Sequence, residues 1–86
     1  MSVKFIKNPK RKQYRLAVVV SKKVHKSAVV RNRIRRRLYE AVRLLEDQIV
    51  EPYDIVITVF HENAASIPSD ELKKMVFAQL KQAHIL

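Results

Sequence analysis

The sequence contains no glycine, no cysteine and no tryptophan. Without glycine the chain cannot form the glycine-rich loops that hold phosphates in P-loop and dinucleotide-binding proteins. Without cysteine it has neither a disulfide framework nor a thiolate metal site, which fits a reducing compartment. No apolar run approaches the ~20 residues that cross a bilayer, and the N-terminal stretch lacks the apolar segment of a secretory signal. We therefore expect a soluble, cytoplasmic protein that does not associate with membranes.

Acidic residues are almost missing from the first half of the chain. Residues 1–43 hold fifteen lysines and arginines against one acid, Glu40, whereas residues 44–86 hold three lysines and seven acids. The net charge of the whole chain is +10 at pH 7. A hydrophobic content of 48% argues against a disordered basic tail. The charge distribution therefore predicts a folded protein with one face that attracts a polyanion.

The length of 86 residues is that of one small domain, 1–86, with a single core and two layers. The alternating stretch SVKFI and the apolar stretch at residues 14–21 predict two strands, which we expect to pair as a hairpin. A third strand is predicted over Asp54–Phe60. The apolar density of the second and third strands predicts that both are covered on both faces, the second being central in the sheet.

Two amphipathic helices are predicted, the first between the second and third strands and the second at the C-terminus. Ser27 is the expected N-cap of the first helix, which should run for about five turns before Pro52 breaks it. Ser69 is the expected N-cap of the second, with Asp70 and Glu71 in its first turn. The predicted core positions recur at helical spacing: Val30, Ile34, Leu38, Ala41 and Leu45 in the first helix, and Leu72, Met75, Val76, Leu80 and Ala83 in the second.

Catalysis by the chain alone is not expected. His61 and Glu62 resemble the start of a metalloprotease helix motif, but no histidine follows four residues later. His25 lies among lysines, where a phosphate contact and a solvated loop position are both open. No set of nucleophile, base and orienting group is found. The sequence thus predicts no catalytic residue and no metal site.

The basic residues are densest where the first helix begins. Six arginines lie between Arg31 and Arg43. A merely solvated helix face usually interleaves acids at i,i+4. Residues 31–36 hold no acid, so binding of a polyanion is favoured over the solvated face. Guanidinium groups bind phosphate oxygens in pairs, and a helix N-terminus itself attracts phosphate. The predicted binding residues are Lys22, Lys23, Lys26, Arg31, Asn32, Arg33, Arg35 and Arg36.

Two aromatic residues of the predicted strands have two open interpretations. Phe5 and Tyr14 could stack on nucleic-acid bases if they lie on an uncovered face of the sheet. Packing in the core is the commoner role of aromatic residues in strands.

The stretch VVVSKKVHKSAVVRNRIRRRLYEAVR resembles the protein subunit of bacterial ribonuclease P. The family pattern has Ser-Lys-Lys after a strand, then a small residue and hydrophobics, then Arg-Asn-Arg followed by a hydrophobic, a basic residue and Arg. These fall on Ser21–Lys23, Ala28–Val30 and Arg31–Arg36. The resemblance implies an α+β fold, an α/β sandwich in which a small mixed sheet of four strands packs with two helices. It also implies a left-handed β-α-β crossover, where general statistics would predict a right-handed one.

The resemblance implies an accessory subunit of an endoribonuclease, a ribonucleoprotein that matures the 5′ ends of precursor tRNA. Its partners would be the catalytic RNA and precursor tRNA, whose 5′ leader the family helps to bind. The chemistry and its Mg2+ would belong to the RNA, and the free protein would be a monomer without a cofactor. The alternative is a general architectural or ribosome-associated nucleic-acid binder without a role in processing, and an autonomous nuclease ranks last.

The sequence departs from the family pattern in two places. The family pattern begins with a helix whose aromatic residues line the leader cleft, whereas this sequence starts at about the first long strand. The position before the arginine helix that usually holds glycine is His25, and Lys26 follows where a small polar residue is common. That turn must therefore avoid a positive φ or tolerate one.

Overall fold

Three strands form a single mixed sheet in the computed structural model, which describes residues 1–86. The strands are β1 (Ser2–Lys7), β2 (Arg15–Val20) and β3 (Tyr53–Val59), and the helices are α1 (Ala28–Arg43) and α2 (Ser69–Gln82). Short 3₁₀ turns lie at Glu46–Gln48 and Glu62–Ala65. The sheet order is β1-β3-β2. A small mixed sheet with two helices is the predicted α+β fold.

The pairing of the strands corrects the predicted hairpin. β1 and β2 do not pair with each other, because β3 lies between them, antiparallel to β1 and parallel to β2. The sheet has three strands and not the four that the resemblance implied. The parallel pair of β2 and β3 is connected through α1, as the predicted β-α-β unit requires. The left-handed sense of this crossover stays a prediction.

Both helices pack on one face of the sheet, so the prediction that β2 and β3 are covered on both faces is wrong. Burial alternates along β2 and β3: Val18 and Val20 are buried while Val19 is 47% exposed, and in β3 Ile55 and Ile57 are buried while the residue between them is exposed. β2 is an edge strand and not the central one. A sheet with one uncovered face usually has alternating apolar and polar residues along its strands. Here the uncovered face is itself partly apolar, so the strands lack this alternation and resemble strands covered on both faces.

The helix α1 begins as predicted, because the Ser27 side chain accepts a hydrogen bond of 3.4 Å from the Val30 N–H. Its predicted stripe faces the core: every member is buried except the partly buried Val30. Pro52 does not end the helix, as the prediction had it. The helix ends at Arg43, and a 3₁₀ turn follows that returns the buried Ile49 to the core.

The helix α2 begins one residue earlier than predicted. The Leu72 N–H bonds to the Pro68 carbonyl at 3.0 Å, which makes Pro68 the N-cap and Ser69 the first residue of the helix. Of the predicted stripe, Leu72, Val76 and Leu80 are buried, whereas Met75 is exposed. No helix of the chain has the length and apolar character that crossing a bilayer requires.

The end of α2 uses a left-handed residue in a chain without glycine. His84 has a φ of 61°, and it is the only residue with a positive φ. The His84 N–H bonds to the Lys81 carbonyl and the Ile85 N–H to the Leu80 carbonyl, both at 3.0 Å, which is a Schellman motif. A residue with a Cβ in this conformation costs about 1–2 kcal/mol. Burial of Ile85 in the core, which this turn makes possible, offsets that cost.

Asp54 connects the three strands at the end of the sheet where β3 begins. Its Oδ2 atom accepts hydrogen bonds of 3.2 Å from both Asn8 and Arg15. These bonds, first the one from Asn8, hold the pKa of the Asp54 carboxyl below its usual value. One side chain of β3 thus binds the loop that follows β1 and the first residue of β2.

Candidate nucleic-acid interface

The predicted binding residues lie on one continuous part of the chain, the loop that follows β2 and the first half of α1. We call this surface the arginine face. Three lysines, Asn32, Arg33 and Arg36 are exposed, whereas Arg31 and Arg35 are half-buried. The stripe that α1 buries sets this orientation, because the arginines occupy the remaining sides of the same helix. The members of the arginine face are Lys22, Lys23, Lys26, Arg31, Asn32, Arg33, Arg35 and Arg36.

No acid pairs with any residue of the arginine face. The chain has four ion pairs, and all lie elsewhere: Lys7–Glu51, Arg15–Asp54, His25–Glu62 and Arg43–Glu40. Glu40, the only acid of α1, accepts bonds of 2.9 and 2.6 Å from Arg43, which lower the pKa of its carboxyl. The charge of Glu40 is thus balanced by Arg43, and the face lacks the interleaved ion pairs of an ordinary solvated helix.

The N-terminus of α1 adds positive potential to this surface. The Val30 N–H is satisfied by the Ser27 cap, whereas the N–H groups of Ala28 and Val29 have no acceptor in the chain. Unpaired N–H groups at a helix N-terminus carry partial positive charge and bind phosphate readily. The arginines of the first two turns of α1 therefore lie near backbone N–H groups that also favour phosphate.

Arg31 holds the turn that precedes the helix. Its Nη1 atom donates to the carbonyls of His25 and Lys26, each at 2.9 Å. The Ser27 N–H donates to Nδ1 of His25 at 3.0 Å. His25 does not have a positive φ, so the turn avoids the conformation for which glycine is usual. Side-chain bonds to the backbone thus stabilise the turn in place of glycine, and Arg31 has a structural role.

The other arginines of the first two turns divide into fixed and free ones. Arg35 donates to the Asn32 side-chain oxygen and, at 3.4 Å, to the Val20 carbonyl, which fixes its guanidinium between α1 and β2. Arg33 and Arg36 make no hydrogen bond or ion pair within the chain and are exposed. The arginine face therefore combines guanidinium groups held in place with two that are free to bind phosphate.

Known proteins match this chain over nearly its whole length. The family model described as Ribonuclease P matches residues 1–84. The chain belongs to the ribonuclease P protein family. Among the family's curated members, the ribonuclease P protein component of Chloroflexus aurantiacus is 40% identical over 77 residues, which are 90% of this chain and 56% of that protein. The one from Roseiflexus sp. is 41% identical over 78 residues, 91% of this chain and 64% of the relative.

Solved structures of a ribonuclease P protein have the same fold as this chain. The Staphylococcus aureus RNase P protein superposes with a TM-score of 0.80 at 26% identity, covering 96% of this chain and 73% of that one. A mutant of the same protein, described as defective in mRNA degradation activity, gives a TM-score of 0.82 at 26% identity, over 98% and 69% of the two chains. This chain spans between 56% and 64% of the length of the two curated relatives named above.

The two aromatic residues proposed for stacking do not lie on the open face of the sheet. Phe5 pairs with the buried Ile55, so it points to the side of the helices, where its ring meets Tyr53 edge-on at 5.3 Å. The Tyr14 hydroxyl donates to Glu46 at 3.0 Å, and burial together with this bond raises the pKa of Tyr14 to about 12. The open face instead exposes Ile6, Val19 and Val56. A stacking role for Phe5 and Tyr14 stays a prediction.

Arg37 has a structural role that the sequence pattern did not reveal. Its guanidinium donates to the carbonyl of Ala64, at 2.8 Å, and to that of Ile67. The side chain thus connects α1 to the segment that leads into α2. The two carbonyls lie 27 and 30 residues away in the chain, so the sequence near Arg37 carries no signal of this role.

Replacement of Arg37 should therefore destabilise the fold, whereas replacement of Arg33 should not. Arg37→Ala leaves two carbonyls without their charged donor and should lower the free energy of unfolding by about 2 kcal/mol. Arg33→Ala removes an exposed side chain without partners and should change it by no more than about 0.5 kcal/mol. Urea unfolding of the two variants measures both values. Equal losses would contradict this division of roles.

Proposed function

We propose that this chain is the protein subunit of ribonuclease P. It would bind the catalytic RNA through the arginine face and thereby assist maturation of the 5′ ends of precursor tRNA. The observation that supports this most is that seven lysines and arginines share one surface with no acid paired to any of them, in a member of the ribonuclease P protein family. A polyanion bound to such a surface offsets the repulsion among its charges and releases counterions.

Each class of side chain would make a different contact. Arg33 and Arg36, which are free, would bind phosphates with both arms of the guanidinium group. Arg31 and Arg35 are already held by bonds to the protein, so less side-chain freedom is lost when they meet RNA. The Asn32 oxygen accepts from Arg35, which leaves the Asn32 amide group to donate to RNA. The three lysines would contribute charge without directional preference.

The cleavage chemistry would belong to the RNA. Among the described residues, no three His, Asp or Glu side chains lie together in a group that could hold a metal ion. In the assembled enzyme, Mg2+ would bind to RNA phosphates and activate the attacking water. The protein would reduce the repulsion between phosphates, so that less Mg2+ is needed to fold the RNA and hold the substrate. We expect the free protein to be a monomer and to act in the cytoplasm.

A cleavage assay distinguishes this function from its alternatives. Precursor tRNA is incubated at low Mg2+ with the catalytic RNA of the same organism, with this protein, or with both. We expect the protein to raise the cleavage rate by about tenfold or more when the RNA is present, equivalent to ~1.4 kcal/mol of transition-state stabilisation. No stimulation would indicate a general nucleic-acid binder instead. Cleavage by the protein alone would indicate an autonomous nuclease.

The salt dependence of binding tests the arginine face directly. In the Arg33→Ala, Arg36→Ala double variant, affinity for the catalytic RNA should fall, and the slope of log K against log salt should become shallower by about 1.5–2, because two phosphate contacts are lost. Lys73→Ala, Lys74→Ala is the matched control, since it removes the same charge from exposed positions of α2. Filter binding at several salt concentrations gives both slopes.

The control decides how the result is interpreted. If both double variants flatten the slope equally, binding depends on net charge alone. If only the control does so, the RNA binds α2. Either outcome would contradict the proposed interface.

A further inference from the structure

A shallow groove of about 490 Å3 runs along the outer side of α1. Its lining residues follow one line of the helix, because they are spaced three or four positions apart. The groove is therefore part of the arginine face but extends it toward the C-terminal half of the helix. The residues that line it are Val29, Asn32, Arg35, Arg36 and Tyr39.

The two ends of the groove are apolar although the surface around them is basic. Val29 is 74% exposed and Tyr39 is 42% exposed. The other two tyrosines have partners within the chain: the Tyr14 hydroxyl bonds to Glu46 and the Tyr53 ring packs against Phe5. Tyr39 has neither a hydrogen bond nor an aromatic partner. Its ring is thus available to a molecule from outside.

The sides of the groove are cationic and partly fixed. Arg35 is held by Asn32 and by the Val20 carbonyl, so its guanidinium has a defined position. Arg36 has no partner in the chain and is exposed. A flat aromatic ring next to a free guanidinium matches the two parts of a nucleotide, since the base presents a π face and the phosphate a pair of oxygens.

We propose that this groove holds one unpaired nucleotide of the RNA partner, with its base stacked on Tyr39 and its phosphate bound by Arg36. The inference rests on the proposed function for the identity of the RNA. The nucleotide must be unpaired because the faces of a paired base are covered by its neighbours in the helix. Charge complementarity favours RNA over a second copy of this chain, because joining two arginine faces would bring like charges together.

Substitutions of Tyr39 test the stacking contact. Tyr39→Ala should weaken binding of the catalytic RNA by about tenfold, whereas Tyr39→Phe, which keeps the ring, should bind like the natural protein. The slope of log K against log salt should stay the same in both variants, since no charge is lost. Leu44→Ala is the control, because it removes an apolar side chain of similar exposure just beyond the C-terminus of α1 and outside the groove. Thermal unfolding confirms that the variants are folded.

Chemical probing of the RNA gives a second, independent readout. One unpaired nucleotide should be protected from base- and ribose-modifying reagents by the natural protein and by Tyr39→Phe, and should become reactive with Tyr39→Ala. Protection that persists with Tyr39→Ala would overturn the proposal.

Three other results would also overturn it. Unchanged affinity of Tyr39→Ala would show that the ring contacts no base, while the Arg33 and Arg36 variants would still decide the proposed function separately. Equal losses in Tyr39→Ala and Tyr39→Phe would assign the contact to the hydroxyl. A dimer of the natural protein in sedimentation that Tyr39→Ala converts to a monomer would make a second copy the occupant.

Discussion

Burial of the apolar side of α1 against one face of the sheet is the constraint on which the interface depends. Ile34, Leu38 and Val42 are completely buried there, so the helix cannot rotate about its axis without exposing them. Each fully buried side chain of this size contributes about 1.5–3 kcal/mol. The arginines share this helix, and their direction is therefore determined by the core. The arginine face is thus built on a rigid element, which is what the proposed binding of RNA requires.

Repulsion among the arginines opposes this arrangement, and the structure reduces it by two means. Arg31, Arg35 and Arg37 donate to backbone carbonyls, whose partial negative charge offsets part of the guanidinium charge. No acid is paired with the face: Glu40 is bound by Arg43, and the ion pairs of Glu51, Asp54 and Glu62 involve residues outside it. The cost that remains favours binding of a polyanion.

Local patterns predicted the local features of the fold. The three strands and two helices lie within a residue or two of the predicted positions except at the ends of both helices, and the Ser27 cap is present, because periodicity and capping act over a few residues. The pairing of β1 with β3 joins residues about fifty positions apart, such as Val3 and Ile57, and no local signal encodes it. The open face of the sheet was missed because Val19 and Val56 made the strands look buried on both sides.

The charge of the interface could be predicted from the sequence. Which of its arginines are held by contacts within the chain, and which are free, could not. A run of one sign identified the arginine face, whereas the structural roles of Arg31 and Arg37 depend on carbonyls that only the fold brings near. Tyr39 was overlooked, although an aromatic residue off the apolar stripe of a basic helix is a signal that the sequence does contain. Residues whose role depends on contacts distant in the chain are thus the ones that the sequence leaves undetermined.

Directed cleavage of the RNA tests most directly whether the catalytic RNA lies against α1. The chain has no cysteine, so a single one can carry an iron chelate that generates hydroxyl radicals. Ala28→Cys places it at the start of α1, which packs on β2, and Gln82→Cys places it at the end of α2, beside β1. We predict strong, localised cleavage of the RNA from position 28 and little from position 82. Equal cleavage from both, or cleavage from position 82 alone, would contradict the account.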